Sequence, residues 1–341
     1  MSGFDQQMEE HQKKWRNKPG NVSSSEQGWQ NGKQYPWILP PALWEEGLWP
    51  RIRSGSARSL PAYLDEYRIQ KHVGVNNLKS SWTLCANLYF PFRCSTDGRA
   101  LLAGFLAEKV HPSIKSVEGV ELEYAGRGDL HPSVLLGEAG GKKGAGQTSP
   151  DVAFLVNQGN GLILTENKFT EHSFYPCSAL KKKGSPGKPV NPDPTRCKQP
   201  LAVLNNPTGQ CHQMAWGRKY WKHLQPCARR EVLATLSRCP AATAGYQLFR
   251  QQALGEGIAT TSKYELVVSC LAVDERNVTL KKCLTSTGMA DAWEWGKLFE
   301  GKALFRVFFH QDWVAWVRKR GDPEEWRGWL NWVTERYCFA P

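Results

Sequence analysis

The sequence predicts an α/β domain, a mixed central β-sheet flanked by helices, with an amino-terminal arm and a basic, cysteine-containing insertion. Three observations carry this. Asp151–Val156 and Leu162–Lys168 are apolar, partly β-branched runs, and Asn157–Gly161 between them has turn chemistry, so the stretch reads as a β-hairpin. Tyr264–Val273 and Ala303–Phe309 are further strand-like runs that extend the sheet. Arg99–Val110 carries Leu101, Leu102, Phe105, Leu106 and Val110 on one stripe, the pattern of an amphipathic helix.

A chain of 341 residues, 40% hydrophobic and holding 15 Trp, can bury one large core or two modest ones. No run of apolar residues is long enough for a transmembrane helix, and the first 27 residues lack the apolar segment of a signal peptide, so a cytoplasmic protein is expected.

Taken in order, Met1–Gln34 is polar with helix potential near Met8–Arg16, and reads as an arm. Tyr35–Pro50, with Trp37, Trp44 and Trp49 among prolines, reads as a wrap over the domain surface, which sets residues 1–59 apart from a main domain at 60–341. Leu60–Tyr67 and Ser80–Phe90 read as short helices. Val120–Ala125 alternates and reads as the first core strand, with Glu121 and Glu123 on one face. Gly126–Gln147 contains Gly-Glu-Ala-Gly-Gly-Lys-Lys-Gly-Ala-Gly, too glycine-rich for a regular element. Lys142 and Lys143 there suit a loop that meets phosphates through backbone N–H groups and charge. Lys181–Pro200 reads as a basic loop within an insertion spanning about 172–240. Gln210–Leu224 and Thr243–Gly255 return to helical periodicity, and Trp326, Trp329, Trp332 and Val333 recur at the spacing of a core-facing helix.

The hairpin concentrates the chemistry. Side chains alternate along a strand, so Glu166 and Lys168 share a face while Asn167 takes the other. Asp151 opens the first strand, and the turn brings it beside that end of the second. Two carboxylates held so close repel, and a divalent cation with oxygen ligands, Mg²⁺ or Mn²⁺, relieves the repulsion. Such an ion activates water and stabilises a phosphodiester's leaving oxygen. Lys168 is then placed to orient or activate the water. The competing reading is a solvated, salt-bridged strand end, but Phe154, Val156, Leu162 and Leu164 make both strands apolar, as covered central strands are.

Pro150-Asp151, fourteen residues, then Glu166-Asn167-Lys168 on a strand-turn-strand resembles the PD-(D/E)xK nuclease superfamily. Ser80–Phe92, Gly137–Asp151, Glu166–Cys177 and Tyr246–Glu256 are similar to a bacterial, restriction-endonuclease-like branch of it. The resemblance implies metal binding by Asp151, Glu166 and the backbone carbonyl of Asn167, with Glu138, Glu123 or Glu108 as a third carboxylate. It implies DNA, double- or single-stranded, as substrate, a homodimer for double-strand cleavage, and a setting such as restriction or antiviral defence. Some members place a Gln and a Tyr after the catalytic strand; Gln247 and Gln251 stand there, without the family's Gln-x-x-x-Tyr spacing. An RNase of the same superfamily, and a silent nucleic-acid-binding subunit that recruits a partner protein, remain alternatives.

The net charge of +12 is uneven: between Glu171 and Arg230 stand 11 Lys or Arg and 2 Asp or Glu. Such a basic stretch beside a carboxylate site is the footprint of a polyanionic substrate. Lys181, Lys182, Lys183, Arg218 and Lys219 join Lys142 and Lys143 as candidate phosphate contacts. Of the ten cysteines, Cys85, Cys94, Cys270, Cys283 and Cys338 read as core residues. Cys177, Cys197, Cys211, Cys227 and Cys239 punctuate the basic insertion. Some superfamily members carry an iron–sulfur cluster or zinc; no Cys-x-x-Cys pair stands here, and Cys177, Cys197 and Cys211 are the expected ligands if a structural metal is present.

Overall fold

The computed structural model describes residues 3–180 and 189–340. Five strands form one mixed sheet in sequential order. A two-stranded ribbon, β1 (Gly28–Gln30) and β2 (Lys33–Tyr35), stands apart from it. The sheet comprises β3 (Val117–Leu122), β4 (Val152–Val156), β5 (Gly161–Lys168), β6 (Leu266–Val273) and β7 (Ala303–Phe309). β3, β4 and β5 are antiparallel, whereas β6 and β7 run parallel to β5. Every residue of β5 and of β6 is buried, which is why these strands read as unbroken apolar runs.

Two cores cover the sheet's faces. One face packs Val152, Phe154, Ile163 and Val268 under α1 (Phe4–Asn17), α2 (Leu60–Glu66), α3 (Ser81–Tyr89) and α4 (Thr96–Lys109), with the carboxy-terminal pair described below. α3 and α4 start where Ser80 and Ser95 accept from the N–H groups of Thr83 and Gly98. The other face packs Ala153, Leu162, Leu164 and Leu271 under the segment between β5 and β6. α5 (Pro132–Leu135) lies between β3 and β4. The insertion holds α6 (Pro200–Asn205), α7 (Pro207–Gln210), α8 (His212–Ala215), α9 (Tyr220–Leu224) and α10 (Arg230–Ala234), followed by the long α11 (Tyr246–Thr261). α12 (Val278–Lys281) follows β6, and α13 (His310–Arg320) and α14 (Pro323–Tyr337) close the chain.

The differences from expectation have local causes. The first core strand lies at Val117–Leu122 rather than Val120–Ala125, because Glu123 turns into the left-handed region (φ 49°) and ends it. The glycine-rich stretch is less irregular than its composition suggests, since Pro132 starts the short helix α5. Gln210–Leu224 is not one helix: Gly217 (φ 73°) breaks it into α8 and α9. Cys85 and Cys270 are buried and Cys283 half-buried, but Cys94, ending a 3-10 turn, and Cys338, the left-handed cap of α14, are exposed. Trp326 and Trp329 are core residues; Trp332 is half-buried, edge-on to Trp15 of α1 with centroids 6.2 Å apart. Met8, Trp44, Leu48, Trp49 and Ile52 of the amino-terminal stretch enter the same core. Lys181, Lys182 and Lys183 lie outside the described residues. Among the described residues no helix is long and apolar enough to cross a membrane.

Candidate active site

The sheet register builds the site. Val152 pairs with Thr165 across β4 and β5, and with Leu122 across β4 and β3. One step further on, Asp151 falls opposite Glu166 on one side and Glu123 on the other. The backbone confirms the second pairing: Glu123 N donates to Asp151 O at 3.0 Å and Tyr124 N to Pro150 O at 3.1 Å. Three carboxylates therefore stand in one row across the ends of three neighbouring strands, at the spacing of cross-strand neighbours. They line a pocket of about 180 Å³ with Lys168, Glu171, His72, Trp82, Tyr175 and Gln247, walled on one side by Gly144–Gln147.

Each group is held by named partners. Lys168 Nζ donates to Glu166 Oε1 at 2.7 Å, and both side chains are buried. Gln247 Nε2 from α11 donates to the same oxygen at 2.7 Å. Asp151 Oδ2 accepts from Asn167 N at 2.7 Å. The Asn167 side chain points to the opposite face, where Nδ2 donates to Ser81 O of α3 at 2.8 Å. Gln251, one turn on from Gln247, donates to the Cys270 carbonyl and Ser269 Oγ and so braces β5 against β6. Gly144 forms the wall at φ 80°, and a Cβ there would come within 2.5 Å of Gln70 O, so the wall approaches as only glycine permits.

Burial governs the electrostatics. The Asp151 and Glu123 carboxyls are pushed well up, first by burial and then by the neighbouring carboxylates. Lys168 is pushed the other way from what burial alone would do, because Glu166, Glu171 and Asp151 surround it and hold its proton. Among the described residues no three His, Cys, Asp or Glu side chains stand ready-made around one metal ion. Glu166 is turned to Lys168 and Gln247 in this state, which accounts for that.

The remaining candidates separate. Glu123 is 5% exposed and in the pocket. Glu138 is equally buried but spent elsewhere: it accepts from Thr148 N and Oγ1, from Tyr220 OH at 2.7 Å and from Arg250 Nε at 3.1 Å. Glu108 lies on α4 beside Lys109. Lys143 lies over the Tyr67 ring, and its carbonyl accepts from Gln70 N. Arg218 and Lys219 donate to the carbonyls of Gly137 and Val134, so they tie the insertion to the glycine-rich loop.

Sequence reasoning missed His72, Trp82, Tyr175 and His310. Tyr175 is 54% exposed at φ 56°, a left-handed residue at the rim. His310 Nε2 lies 3.0 Å from Lys168 O behind the pocket. Fully buried, His310 is pulled down to about 4, with desolvation the main cause. The imidazole is thus neutral and its Nε2–H donates to the Lys168 carbonyl. The unfolded chain takes up a proton near pH 6.5 that the folded chain refuses, so this stabilisation is complete above about 6.5 and is lost as pH falls towards about 4. Urea unfolding of wild type and His310→Gln between pH 7 and 4 is expected to show a shallower loss in the variant. Parallel curves would remove His310 as the cause.

A five-stranded mixed sheet flanked by helices on both faces, with acidic groups and a lysine at adjacent central strand ends, is compatible with a restriction-endonuclease-like fold. The chain belongs to the REase-ARP family, described as restriction endonuclease associating with ARP, whose model it matches over residues 9–338. That description points to a nuclease and to an associated partner, ARP. No curated protein and no solved structure matches the chain.

Proposed function

We propose that the protein is a metal-dependent nuclease of the PD-(D/E)xK type that hydrolyses DNA phosphodiester bonds. The observation that carries this is the row of Glu123, Asp151 and Glu166 beside a buried, protonated Lys168 in one pocket. Buried carboxyls with raised proton affinity and no cation among them are a donor set suited to a hard divalent ion. Asp151, Glu166 and Glu123 hold Mg²⁺ or Mn²⁺, and the carbonyl of Asn167 completes the protein's share. The ion, when bound, supplies Lewis-acid stabilisation at phosphorus and a more acidic water. Lys168 orients the attacking water and offsets charge developing on the phosphate. Gln247 keeps Glu166 turned into the pocket, and the Gly144–Gln147 wall faces the phosphate with backbone N–H groups.

Because Asp151 and Glu123 are protonated more readily than ordinary carboxyls, cation binding must release protons. Calorimetric titration with Mn²⁺ in buffers of different ionisation enthalpy is expected to show proton release, with affinity strengthening as pH rises. Asp151→Asn should lower affinity by about tenfold or more. Equal affinity in Asp151→Asn and wild type would contradict the assignment. Restriction or antiviral defence beside the ARP partner is the setting the family description favours.

A further inference from the structure

The insertion raises a question of stability. Its helices run six, four, four, five and five residues. Helices shorter than roughly 12 residues are marginal alone, so their order must come from what they pack on or are tied to. Four cysteines enter one place from four separate segments. Cys177 follows β5, Cys197 lies in the 3-10 turn Pro194–Lys198, Cys211 caps α8, and Cys239 precedes the turn that opens α11.

The backbone draws these segments together. Cys239 N donates to Cys197 O at 2.7 Å, and Cys177 N to Ala241 O at 3.0 Å. Gln213, two residues beyond Cys211, donates from Nε2 to Cys177 Sγ at 3.0 Å. The thiols also sense one another: after burial, charge on Cys197, Cys211 and Cys177 pushes Cys239 up, and charge on Cys211 and Cys197 pushes Cys177 up. All four are half-buried and none is in a disulfide.

The neighbouring candidates have other tasks. His212 and His223 place Nε2 at 2.9 and 2.8 Å from the carbonyls of Pro189 and Leu135. Cys227 Sγ points to the carbonyls of His223 and Leu224. That leaves an all-sulfur set, with the Arg196 guanidinium favouring thiolate at Cys197 and Cys211.

We propose that Cys177, Cys197, Cys211 and Cys239 form one thiolate site for a soft metal centre, zinc or an iron–sulfur cluster, that staples the basic insertion. The sulfurs either draw in around one zinc ion at about 2.3 Å or keep a wider spacing around a cluster. Metal binding displaces the thiol protons, and its free energy becomes folding free energy of the insertion. The proposal does not depend on the nuclease reading.

The test is metal analysis of full-length protein purified without oxygen or chelator, with its visible spectrum. One zinc per chain, or iron with acid-labile sulfide and visible absorption, is expected. Each of Cys177→Ser, Cys197→Ser, Cys211→Ser and Cys239→Ser should lose most of it, while Cys94→Ser and Cys283→Ser keep it. Where a variant misfolds, thiol titration of the wild type decides: the four thiols should be shielded until the metal is stripped, and all ten should react after denaturation with chelator. Wild type without stoichiometric metal, metal retained in the four variants, or thiols missing after denaturation because they are disulfide-bonded would each overturn the proposal.

Discussion

Replacing Lys168 with methionine is expected to lower phosphodiester cleavage by about two to three orders of magnitude, the range for deleting a group that stabilises charge developing in a transition state. Methionine keeps most of the volume of a side chain that is only 4% exposed, so the fold has no cavity to close. The loss should fall on kcat. Divalent-cation affinity should hold or rise, because the ammonium that competes for Glu166 Oε1 is gone. Single-turnover cleavage beside Mn²⁺ calorimetry measures both. A variant that loses cation affinity and activity together would make Lys168 a determinant of site structure and not of the chemical step.

Glu138→Ala should be the most destabilising single change at this end of the sheet. Its carboxylate is 1% exposed and is met by Thr148, Tyr220 and the Arg250 guanidinium. Removing it leaves Arg250, 22% exposed, and Tyr220 without their partner, and breaking a buried ion pair from one side costs about 3–5 kcal/mol. The consequence reaches the pocket, since Thr148 stands three residues before Asp151 and its hydroxyl and N–H both bond Glu138. Denaturant unfolding should therefore show a lower midpoint, and activity should fall even where the variant is folded. Glu138→Gln, which keeps the hydrogen-bonding shape without the charge, should lie between. A Glu138→Ala protein as stable as wild type would show that Arg250 and Tyr220 find solvent or other partners readily.

Much of this was legible in the residues. The hairpin was legible because turn chemistry at Asn157–Gly161 separates two apolar runs, and strand alternation sent Glu166 and Lys168 to the pocket and Asn167 to α3. β7 was legible to the residue, since nothing at its ends competes with a β-branched and aromatic run. The third carboxylate was not. Glu123, Glu138 and Glu108 each had a sequence argument, and the choice among them depends on a left-handed turn at Glu123 and on Tyr220 and Arg250, far away in the chain, claiming Glu138. The basic residues misled in a similar way. Arg218 and Lys219 look like phosphate contacts in composition, yet they cap carbonyls of the glycine-rich loop, because backbone acceptors left free by irregular structure need donors. His310 had no signal at all, since its role arises only when the start of α13 meets the end of β5.

The central claim is that the row of Asp151, Glu166 and Glu123 with Lys168 cuts phosphodiesters with a divalent cation. The most direct measurement is cleavage of labelled plasmid, single-stranded DNA and RNA with Mg²⁺ or Mn²⁺, with and without chelator, wild type beside Asp151→Asn. The account predicts metal-dependent cleavage of DNA by wild type, stopped by chelator and lost in Asp151→Asn while salt-sensitive DNA binding persists. Undiminished cleavage by Asp151→Asn, or cleavage indifferent to chelator, would contradict it.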